Sequence, residues 1–571
     1  MTTQENSQTI RTIGIGGAAG DGIREAGLHL AELFNILGYQ SFLSFSYPSL
    51  IRGGHNYSRI SFSKEKVWND YSELDVLIAL NAESVRLHLH ELKKNALVFV
   101  ERSYANELQD TGATIIPLPF ADLAKEINAR AVARTTVGIG AFAYISGLTP
   151  EKTHDLIFSA FKDVGDEVNA TLAEKGYLLA ESLAVPKWQD ILIETQKEKT
   201  EVVDGNKAVG KGFLAAGLDF YFSYPMTPSS SLLHFMAKES LDGKLKTIQP
   251  EDEISAINIA IGAAYAGKKA AVGTATGGFA LMQEAFSFAG ISETPIVALV
   301  SQRQGPATGV PTNTSQGDLQ FVLHSGHGEF PRIVIAPGDP EESYLAAGNA
   351  LDLVWKYQMP AIILLDKHLS ESSQTAALDS SKIIQKEAKK WSGEEEYQRY
   401  QFTEDGISPL AFPGTENAVI KLTSYEHDEF GIATEDTVLV KKMTEKRFKK
   451  GEMLAQELSL YETVKIYGDI SSDTAILFWG SPKGAILEAV KHLKKQVKVV
   501  QILWMEPFDT DRVSKELANI SKIISIEGNH NGQLAALLRE KTGIVPHHKI
   551  SRYDSKPFDP TELAKKIDEL L

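Results

Sequence analysis

Three consecutive acids at the start of a long apolar segment are the first candidates for chemistry. Glu251, Asp252 and Glu253 precede residues 254–267, which are rich in alanine and isoleucine and too long for a strand, so this segment predicts a buried helix. Acids in a first helical turn are stabilised by the helix dipole, and capping explains two of the three. Glu253 adjoins the apolar run, which should carry it into the interior, where a carboxylate needs a partner. Glu253 is therefore the candidate functional acid, with a cap as the alternative.

Two further polar residues follow predicted strands. Thr227 stands between two prolines after the predicted strand 220–223, and the serines behind it can cap the next helix. This position is also where an α/β sheet contacts its ligands, so Thr227 is a candidate binding residue. Arg303 follows the predicted strand 296–301 and opens a loop rich in glycine and proline. That placement suits a bidentate interaction of the guanidinium group with a ligand carboxylate, and a surface salt bridge is the alternative.

Charge and hydropathy limit the classes of partner. The 571 residues carry a formal net charge of −16, which disfavours nucleic acid and anionic membrane surfaces. No apolar run reaches the roughly 20 residues that span a bilayer, and residues 1–8 show no charged-then-apolar signal, so we expect a cytoplasmic protein. The densest basic cluster, residues 446–450, is typical of the solvated face of a helix, which we predict over 435–460.

The sequence contains no cysteine. Disulfides, thiol catalysis and thiolate-ligated zinc or iron–sulfur sites within this sequence are therefore excluded. The 14 histidines show no HExxH spacing, and the adjacent pair His547 and His548 cannot share one helix face as ligands. The sequence predicts no metal site, and any cluster used in its reaction must belong to a partner.

The chain alternates strand and helix patterns, which predicts α/β domains at residues 1–190, 206–380 and 463–571. A charged linker at 191–205 and a connecting segment at 381–462 separate them. Glycine-rich stretches predict turns into helices at 14–22 and 274–278. The first of these suits anion binding at a helix N-terminus, and loop 48–55 is either a contact surface or a plain turn. In the connecting segment, residues 425–429 form an acidic turn whose charges solvation would explain.

The dinucleotide fingerprint at the N-terminus is imperfect. Gly14 and Gly16 fit it, but Ala19 takes the third glycine position and the strand over 40–45 ends without the acid that would hold a ribose. The sequence Gly20-Asp-Gly suggests a thiamine diphosphate metal loop, but the downstream asparagine that such a loop requires is missing. We therefore reject that interpretation.

In their order and spacing, these motifs resemble the 2-oxoacid:ferredoxin oxidoreductases, specifically the alpha subunit with a gamma domain fused at its N-terminus. The resemblance covers nearly the whole length. Met226 departs from the branched aliphatic residue that is usual in the family, which is a volume-conserving change. The resemblance rests on Tyr224-Pro-Met-Thr-Pro-Ser-Ser, Gln249-Pro-Glu-Asp-Glu253 with its helix, Gln302-Arg-Gln-Gly-Pro-Ala-Thr-Gly-Val-Pro-Thr312, Gly14-Ile-Gly-Gly with Ile51-Arg52-Gly53-Gly54, and Glu527-Gly-Asn-His-Asn-Gly-Gln533.

The resemblance implies an architecture and a set of cofactors. The three α/β domains would be a gamma domain, a thiamine-pyrimidine-binding domain and a transketolase C-terminal-like domain. Thiamine diphosphate would be shared with a beta subunit that carries Mg²⁺ and a [4Fe–4S] cluster, in an (αβ)₂ heterotetramer that uses coenzyme A and ferredoxin. Glu253 would hydrogen-bond the pyrimidine ring, Tyr224 and Pro225 would contact the cofactor, and Thr227 and Arg303 would bind the substrate.

The implied reaction is CoA-dependent oxidative decarboxylation of a 2-oxoacid to acyl-CoA and CO₂, or the reverse carboxylation. The fused arrangement looks most like the 2-oxoglutarate enzymes, while pyruvate and broad-specificity enzymes are the nearest alternative. A non-catalytic nucleotide- or CoA-binding subunit, with residues 14–22 cradling phosphates, is a hypothesis of another class. A self-contained transketolase-like enzyme is a third, although this chain would then need its own Mg²⁺ loop.

Overall fold

The computed structural model describes residues 10–48, 54–161, 166–188, 192–195, 199–243 and 245–571. Most of the predicted loop 48–55, including the Ile51-Arg52-Gly53 part of the family motif, lies outside the described residues. The chain divides into two compact units, the first comprising the chain to Val203 with Ser372–Ala377 and Asp559–Thr561, and the second comprising Asp204–Glu371, Leu378–Phe558 and Glu562–Leu571.

The first unit is built on a mixed sheet whose described strands have the order β6-β5-β4-β1-β3-β2-β14-β7. β1 pairs in parallel with β4 and antiparallel with β3, so the direction of the strands changes at the centre of the sheet. With labels in chain order, the strands are β1 (Arg11–Ala18), β2 (Gln40–Ser46), β3 (His55–Ser63), β4 (Leu74–Ala79), β5 (Leu92–Glu101), β6 (Thr114–Leu118), β7 (Glu201–Asp204) and β14 (Ser373–Ala376).

Helices cover this sheet with apolar faces. Leu30, Leu33 and Phe34 of the first helix are fully buried, which is the expected result of apolar residues recurring at helical spacing. The fourth helix is apolar on all sides and buried along its whole length. The helices of the unit are α1 (Ile23–Ile36), α2 (Ala82–His88), α3 (Phe120–Glu126), α4 (Thr135–Ile145), α5 (Pro150–Ala160) and α6 (Asp166–Ser182).

The predicted glycine loop over 14–22 is wrong in extent. β1 continues through Gly14, Gly16 and Gly17 to Ala18, and only a short turn precedes α1. Within that turn the Asp21 carboxylate accepts a hydrogen bond from the backbone N–H of Ala18 at 2.9 Å. The carboxylate also pairs with Arg134 at 2.6 Å. A carboxylate in this position disfavours the phosphate cradle of the nucleotide-binding hypothesis.

The second unit contains a largely parallel sheet in the order β18-β12-β13-β11-β10-β8-β9. β10, β11 and β13 are buried at every residue, as is typical of parallel strands covered on both faces. The strands are β8 (Phe220–Phe222), β9 (Lys246–Ile248), β10 (Ala270–Ala275), β11 (Val297–Gln302), β12 (Ile333–Ile335), β13 (Ala361–Asp366) and β18 (Trp504–Glu506).

A second sheet of this unit, in the order β15-β17-β16-β19-β20, belongs to the C-terminal part of the chain. Its strands are β15 (Val464–Gly468), β16 (Thr474–Phe478), β17 (Lys498–Ile502), β19 (Lys522–Glu527) and β20 (His548–Ser551). The remaining helices are α7 (Gly205–Ala215), α8 (Ser230–Glu239), α9 (Glu253–Tyr265), α10 (Thr276–Leu281), α11 (Gln283–Ile291), α12 (Leu319–Leu323), α13 (Pro340–Tyr357), α14 (Lys367–Glu371), α15 (Thr437–Gln456), α16 (Lys483–Val490), α17 (Thr510–Leu517), α18 (Gln533–Thr542) and α19 (Pro560–Asp568). The predicted α/β class is confirmed, and the five-segment division of the chain stays a prediction.

The prediction of a solvated basic face at 446–450 is wrong. Lys446 and Lys450 of α15 are buried and donate to the carboxylate of Glu293, which is itself fully buried, at 2.8–2.9 Å. The acidic turn is not simply solvated either, because Glu426 accepts two parallel hydrogen bonds from Arg447 at 2.8 and 2.6 Å. Both charge sets connect α15 to other segments of the second unit.

Two features are absent from the residues that the structure describes. None of the helices in that part of the chain combines the length and the apolar character needed to cross a membrane. The same residues contain no group of three or more histidine or acidic side chains placed to hold a metal ion.

Candidate active site

The predicted site residues follow the carboxyl ends of neighbouring parallel strands. β8 lies between β9 and β10, and the chain passes from β8 to β9 on one side and then to β10 on the other. At such a reversal of strand order, the carboxyl ends flank the crevice in which α/β sheets bind ligands. Thr227 follows β8, Glu253 follows β9 and Arg303 follows β11, which is the parallel neighbour of β10. The topology therefore brings the three predicted residues to one edge of the sheet.

Glu253 is the first residue of α9 and is only 3% exposed. Asp252 caps this helix, because its carboxylate accepts from the backbone N–H of Ser255 at 2.7 Å. The predicted burial of Glu253 is confirmed, and a cap does not explain it. Its Oε1 atom is buried and has no hydrogen-bond partner among the described residues. A buried carboxylate oxygen without a partner is costly, which indicates a group that a bound molecule completes.

Gly278 makes the room in which the Glu253 side chain lies. A Cβ atom at Gly278 would overlap Thr274 Oγ1 and would lie 2.7 Å from both Cγ and Oε1 of Glu253. The predicted glycine turn at 274–278 is wrong, since β10 runs to Ala275 and α10 begins at Thr276. The glycine is instead required by close packing, because the first turn of α10 passes directly over the carboxylate.

Arg303 and Thr227 are in direct contact. Arg303 Nη1 donates to the carbonyl oxygen of Thr227 at 2.8 Å. The side chain is partly buried, and burial lowers the pKa of Arg303 from its ordinary value. Among the residues that the structure describes, no carboxylate lies within salt-bridge distance of its guanidinium. The predicted alternative of a surface salt bridge is therefore not seen, and a partly desolvated cation at this edge can accept an acidic ligand.

The segment before Thr227 lies beside α10. Tyr224 and Pro225 are exposed, and the sulfur of Met226 would be 3.9 Å from a Cβ atom at Gly277. This places the tyrosine and proline on the solvent side of the crevice, where they can contact a ligand or a partner chain. Their predicted role in cofactor binding stays a prediction.

The structure adds two residues that the sequence analysis did not single out. Thr276, at the start of α10, donates through Oγ1 to Asp318 Oδ2 at 2.8 Å. Burial raises the pKa of Asp318, and the hydrogen bond from Thr276 lowers it in part. Asp318 stands just before the apolar run of α12, the same pattern that identified Glu253, so that pattern could have found it.

Comparisons with known proteins give one family over most of the chain. Residues 211–447 match the family model described as pyruvate flavodoxin/ferredoxin oxidoreductase, thiamine diphosphate-binding, and residues 12–179 match pyruvate ferredoxin/flavodoxin oxidoreductase. The chain is 32% identical to the 2-oxoacid:ferredoxin oxidoreductase subunit alpha of Sulfolobus sp., over 98% of this chain and 96% of that protein. It is 30% identical to the 2-oxoglutarate synthase subunit KorA of Methanocaldococcus jannaschii, over 56% of this chain and 86% of that one.

A solved structure is similar over the whole length. It is the 2-oxoglutarate:ferredoxin oxidoreductase of Magnetococcus marinus with 2-oxoglutarate, coenzyme A and succinyl-CoA bound. The TM-score is 0.89 at 30% sequence identity, and the match covers 98% of this chain and 99% of that one.

Proposed function

Because the chain belongs to the family of 2-oxoacid:ferredoxin oxidoreductase alpha subunits, we propose that it provides one side of the active site of a thiamine diphosphate-dependent 2-oxoglutarate:ferredoxin oxidoreductase. In this reaction 2-oxoglutarate and coenzyme A give succinyl-CoA and CO₂, and two electrons pass to ferredoxin. The reverse carboxylation uses the same groups. The choice of 2-oxoglutarate follows the names of two similar proteins, and pyruvate or broad specificity is the alternative.

The observation that carries the proposal is the buried Glu253 oxygen without a partner. The aminopyrimidine ring of thiamine diphosphate presents a nitrogen that can share a proton with a carboxyl group, so the residues present fit this cofactor. Glu253 would hold that proton at Oε1, and Gly278 and Thr274 would keep the carboxyl group in place. When bound, the cofactor supplies the nucleophilic carbon for the 2-oxo group and accepts the electrons left by loss of CO₂.

The other residues of the crevice would orient the substrate. Arg303 already gives one donor to the Thr227 carbonyl oxygen, and its fork of N–H groups can bind the substrate carboxylate beside it. The Thr227 hydroxyl group would donate to the carboxylate or to the 2-oxo oxygen. Tyr224 and Pro225 would form the wall on the cofactor side.

A beta subunit would complete the site with Mg²⁺, the cofactor's diphosphate and a [4Fe–4S] cluster, in an (αβ)₂ heterotetramer. The absence of cysteine from this sequence requires that a thiolate-bound cluster be carried by a partner. The apolar side chains of Ile248, Ile254 and Leu281 are 39–53% exposed around the start of α9 and the end of α10. These exposed side chains would contact the beta subunit, as buried apolar groups do at permanent interfaces.

The test is turnover of the chain co-expressed with its partner, using 2-oxoglutarate or pyruvate, coenzyme A and a low-potential dye. We expect 2-oxoglutarate to be preferred and Glu253→Gln to lose at least about a hundredfold in kcat, the usual size of a general acid–base contribution. Glu251→Gln is the matched control, because Glu251 is exposed and only accepts from Ser255 at 3.2 Å. Full turnover by Glu253→Gln would remove this residue from the reaction and the proposal with it.

A further inference from the structure

A short segment that follows the Arg303 loop and includes the start of α12, residues 316–320, is held by the C-terminal part of the chain. The backbone N–H of Gln316 donates to the carbonyl oxygen of Gly528 at 2.8 Å. In return, the Oε1 atom of Gln316 accepts from the backbone N–H of Gly528 at 2.7 Å. Gln533 Nε2 donates to the carbonyl oxygen of Gly317 at 2.5 Å, and its Oε1 accepts from the N–H of Gln320 at 2.9 Å. The C-terminal motif 527–533 therefore binds this segment at both ends.

Close packing surrounds the Gln316 side chain at the start of this segment. Gln316 is 2% exposed, and its Nε2 also donates to the carbonyl oxygen of Trp479 at 2.9 Å. A Cβ atom at Gly480 would lie 2.7 Å from Gln316 Nε2, and one at Gly528 would lie 3.1 Å from its Oε1. Close approach on both sides fixes the position of Gln316 against the C-terminal sheet.

Asp318 lies at the centre of the segment and contacts α10, the helix that packs on Glu253. Its backbone N–H donates to Gln302 Oε1 at 3.0 Å, and Gln302 is fully buried and donates in turn to the Leu365 carbonyl oxygen. Its carboxylate accepts from Thr276, at the start of the helix that also carries Gly278. Among the described residues, no cation pairs with this carboxylate. A partly buried acid without a counter-ion loses hydration that no ion pair replaces, a cost that an ordinary structural contact does not require.

We propose that Asp318 is a positioning residue, which fixes the first turn of α10 through Thr276 and thereby holds Gly278 against Glu253. We also infer that the C-terminal motif 527–533 keeps Asp318 in place through its hydrogen bonds to residues 316–320. This inference rests on the proposed function of Glu253. It gives the C-terminal part of the chain a role in the site without contact with the reacting groups.

The first test separates the hydroxyl group of Thr276 from its bulk, using the chain purified with its partner subunit. Thr276→Val keeps the shape but removes the donor, and we expect it to raise the Kd for thiamine diphosphate about tenfold, the loss typical of one hydrogen bond to a charged group. We expect kcat to fall by a similar factor and the KM for the 2-oxoacid to stay within about twofold, since Arg303 is untouched. Thr276→Ser keeps the donor and should bind the cofactor as wild type does.

A double-variant comparison tests whether the two residues act through one contact. Asp318→Ala combined with Thr276→Val should be no worse than Asp318→Ala alone. Multiplied losses, equal loss in the serine and valine variants, or an effect confined to KM would each overturn the inference. Asp511→Asn, at an exposed acid of the C-terminal part, is the control for a general effect of losing a carboxylate.

The role of the C-terminal motif 527–533 is tested without any activity measurement. Gln533→Leu removes both of its hydrogen bonds to the segment, and we expect faster amide hydrogen exchange in residues 316–320 and in α10 of the intact chain. Faster exchange in the segment alone would show that the coupling to α10 is absent and would overturn the inference. If Glu253→Gln keeps full turnover, the proposed function fails. If that variant is inactive while Thr276→Val binds cofactor normally, only the positioning role fails.

Discussion

Substitution of Gly278 by alanine is the most direct test of the geometry around Glu253. The added Cβ atom would overlap Thr274 Oγ1 and would lie 2.7 Å from Cγ and Oε1 of Glu253. Thr274 is fully buried on β10, so the start of α10 has to move away from it, and the Glu253 carboxylate beneath that turn has to shift as well. An ordinary contact of 3.4 Å between the added Cβ atom and the Glu253 carboxylate requires that carboxylate to shift by about 0.7 Å, the difference between 3.4 and 2.7 Å.

The expected loss of activity is larger than the expected loss of stability. Overpacking of a buried site costs roughly 1–3 kcal/mol. Part of this loss of stability is offset because alanine is favoured over glycine in a helix by about 1 kcal/mol. Displacing a reacting group by nearly 1 Å can lower the rate about a hundredfold. We therefore expect Gly278→Ala to remain folded and to lose about a hundredfold in kcat.

The neighbouring glycine provides a matched control. A Cβ atom at Gly277 would meet only the sulfur of Met226, at 3.9 Å, and the residue is exposed. Gly277→Ala should therefore keep its turnover and its melting temperature. The assay is dye reduction by the complex, followed in parallel with thermal unfolding. Wild-type turnover in Gly278→Ala, or equal losses in the two variants, would refute the assignment of Gly278 to the carboxylate's packing.

Three further predictions concern charged groups of the second unit. Arg303→Lys keeps the charge but loses the planar fork, so the KM for 2-oxoglutarate should rise about tenfold or more in steady-state kinetics while the fold is unchanged. Glu293→Gln leaves Lys446 and Lys450 buried without a counter-charge and should cost roughly 3–5 kcal/mol, seen as a lower melting temperature. Burial alone would raise the pKa of Glu293, but the two lysines outweigh it and hold that pKa well below its ordinary value, so wild-type stability should fall as the pH drops below about 4.5. Glu293→Gln should lack this acid-dependent loss, and the same slope in both proteins would contradict the assignment. Lys483→Met should also lower the melting temperature, because it removes the lysine that pairs with the buried acids Asp339 and Glu342, of which Glu342 keeps a second lysine, Lys465, at 3.1 Å.

The sequence predicted the second unit well where periodicity and strand-end rules apply. The strands predicted at 220–223 and 296–301 lie within one residue of their observed bounds, Phe220–Phe222 and Val297–Gln302, because each is a short apolar run before a turn signal. Thr227 and Arg303 were each predicted to follow a strand, and the contact between them agrees with a general property of parallel sheets, whose carboxyl ends converge on one edge. These features depend on local pattern and on sheet topology alone.

The failures of prediction share a different cause, which is a partner distant in sequence. Glycines in β1 were taken for a loop, but a Cβ atom at Gly14 would lie 2.5 Å from Tyr57 Oη and one at Gly16 would lie 2.8 Å from Ser84 Cβ. The glycines are thus needed inside a strand for close approach by side chains of β3 and α2. The roles of Gly278 and Asp318 likewise depend on residues that only the fold brings near. Local composition cannot encode such contacts.

The two buried glutamates of the second unit show why burial alone does not identify a functional acid. Glu293 is more completely buried than Glu253, yet its carboxylate accepts three hydrogen bonds from two buried lysines, so the fold satisfies it completely. Glu253 keeps a buried oxygen without a partner among the described residues, at the edge of a parallel sheet where ligands bind. The fold accounts for the first carboxylate and leaves the second incomplete. It is this incompleteness, at a position that a ligand can reach, that favours a catalytic role for Glu253.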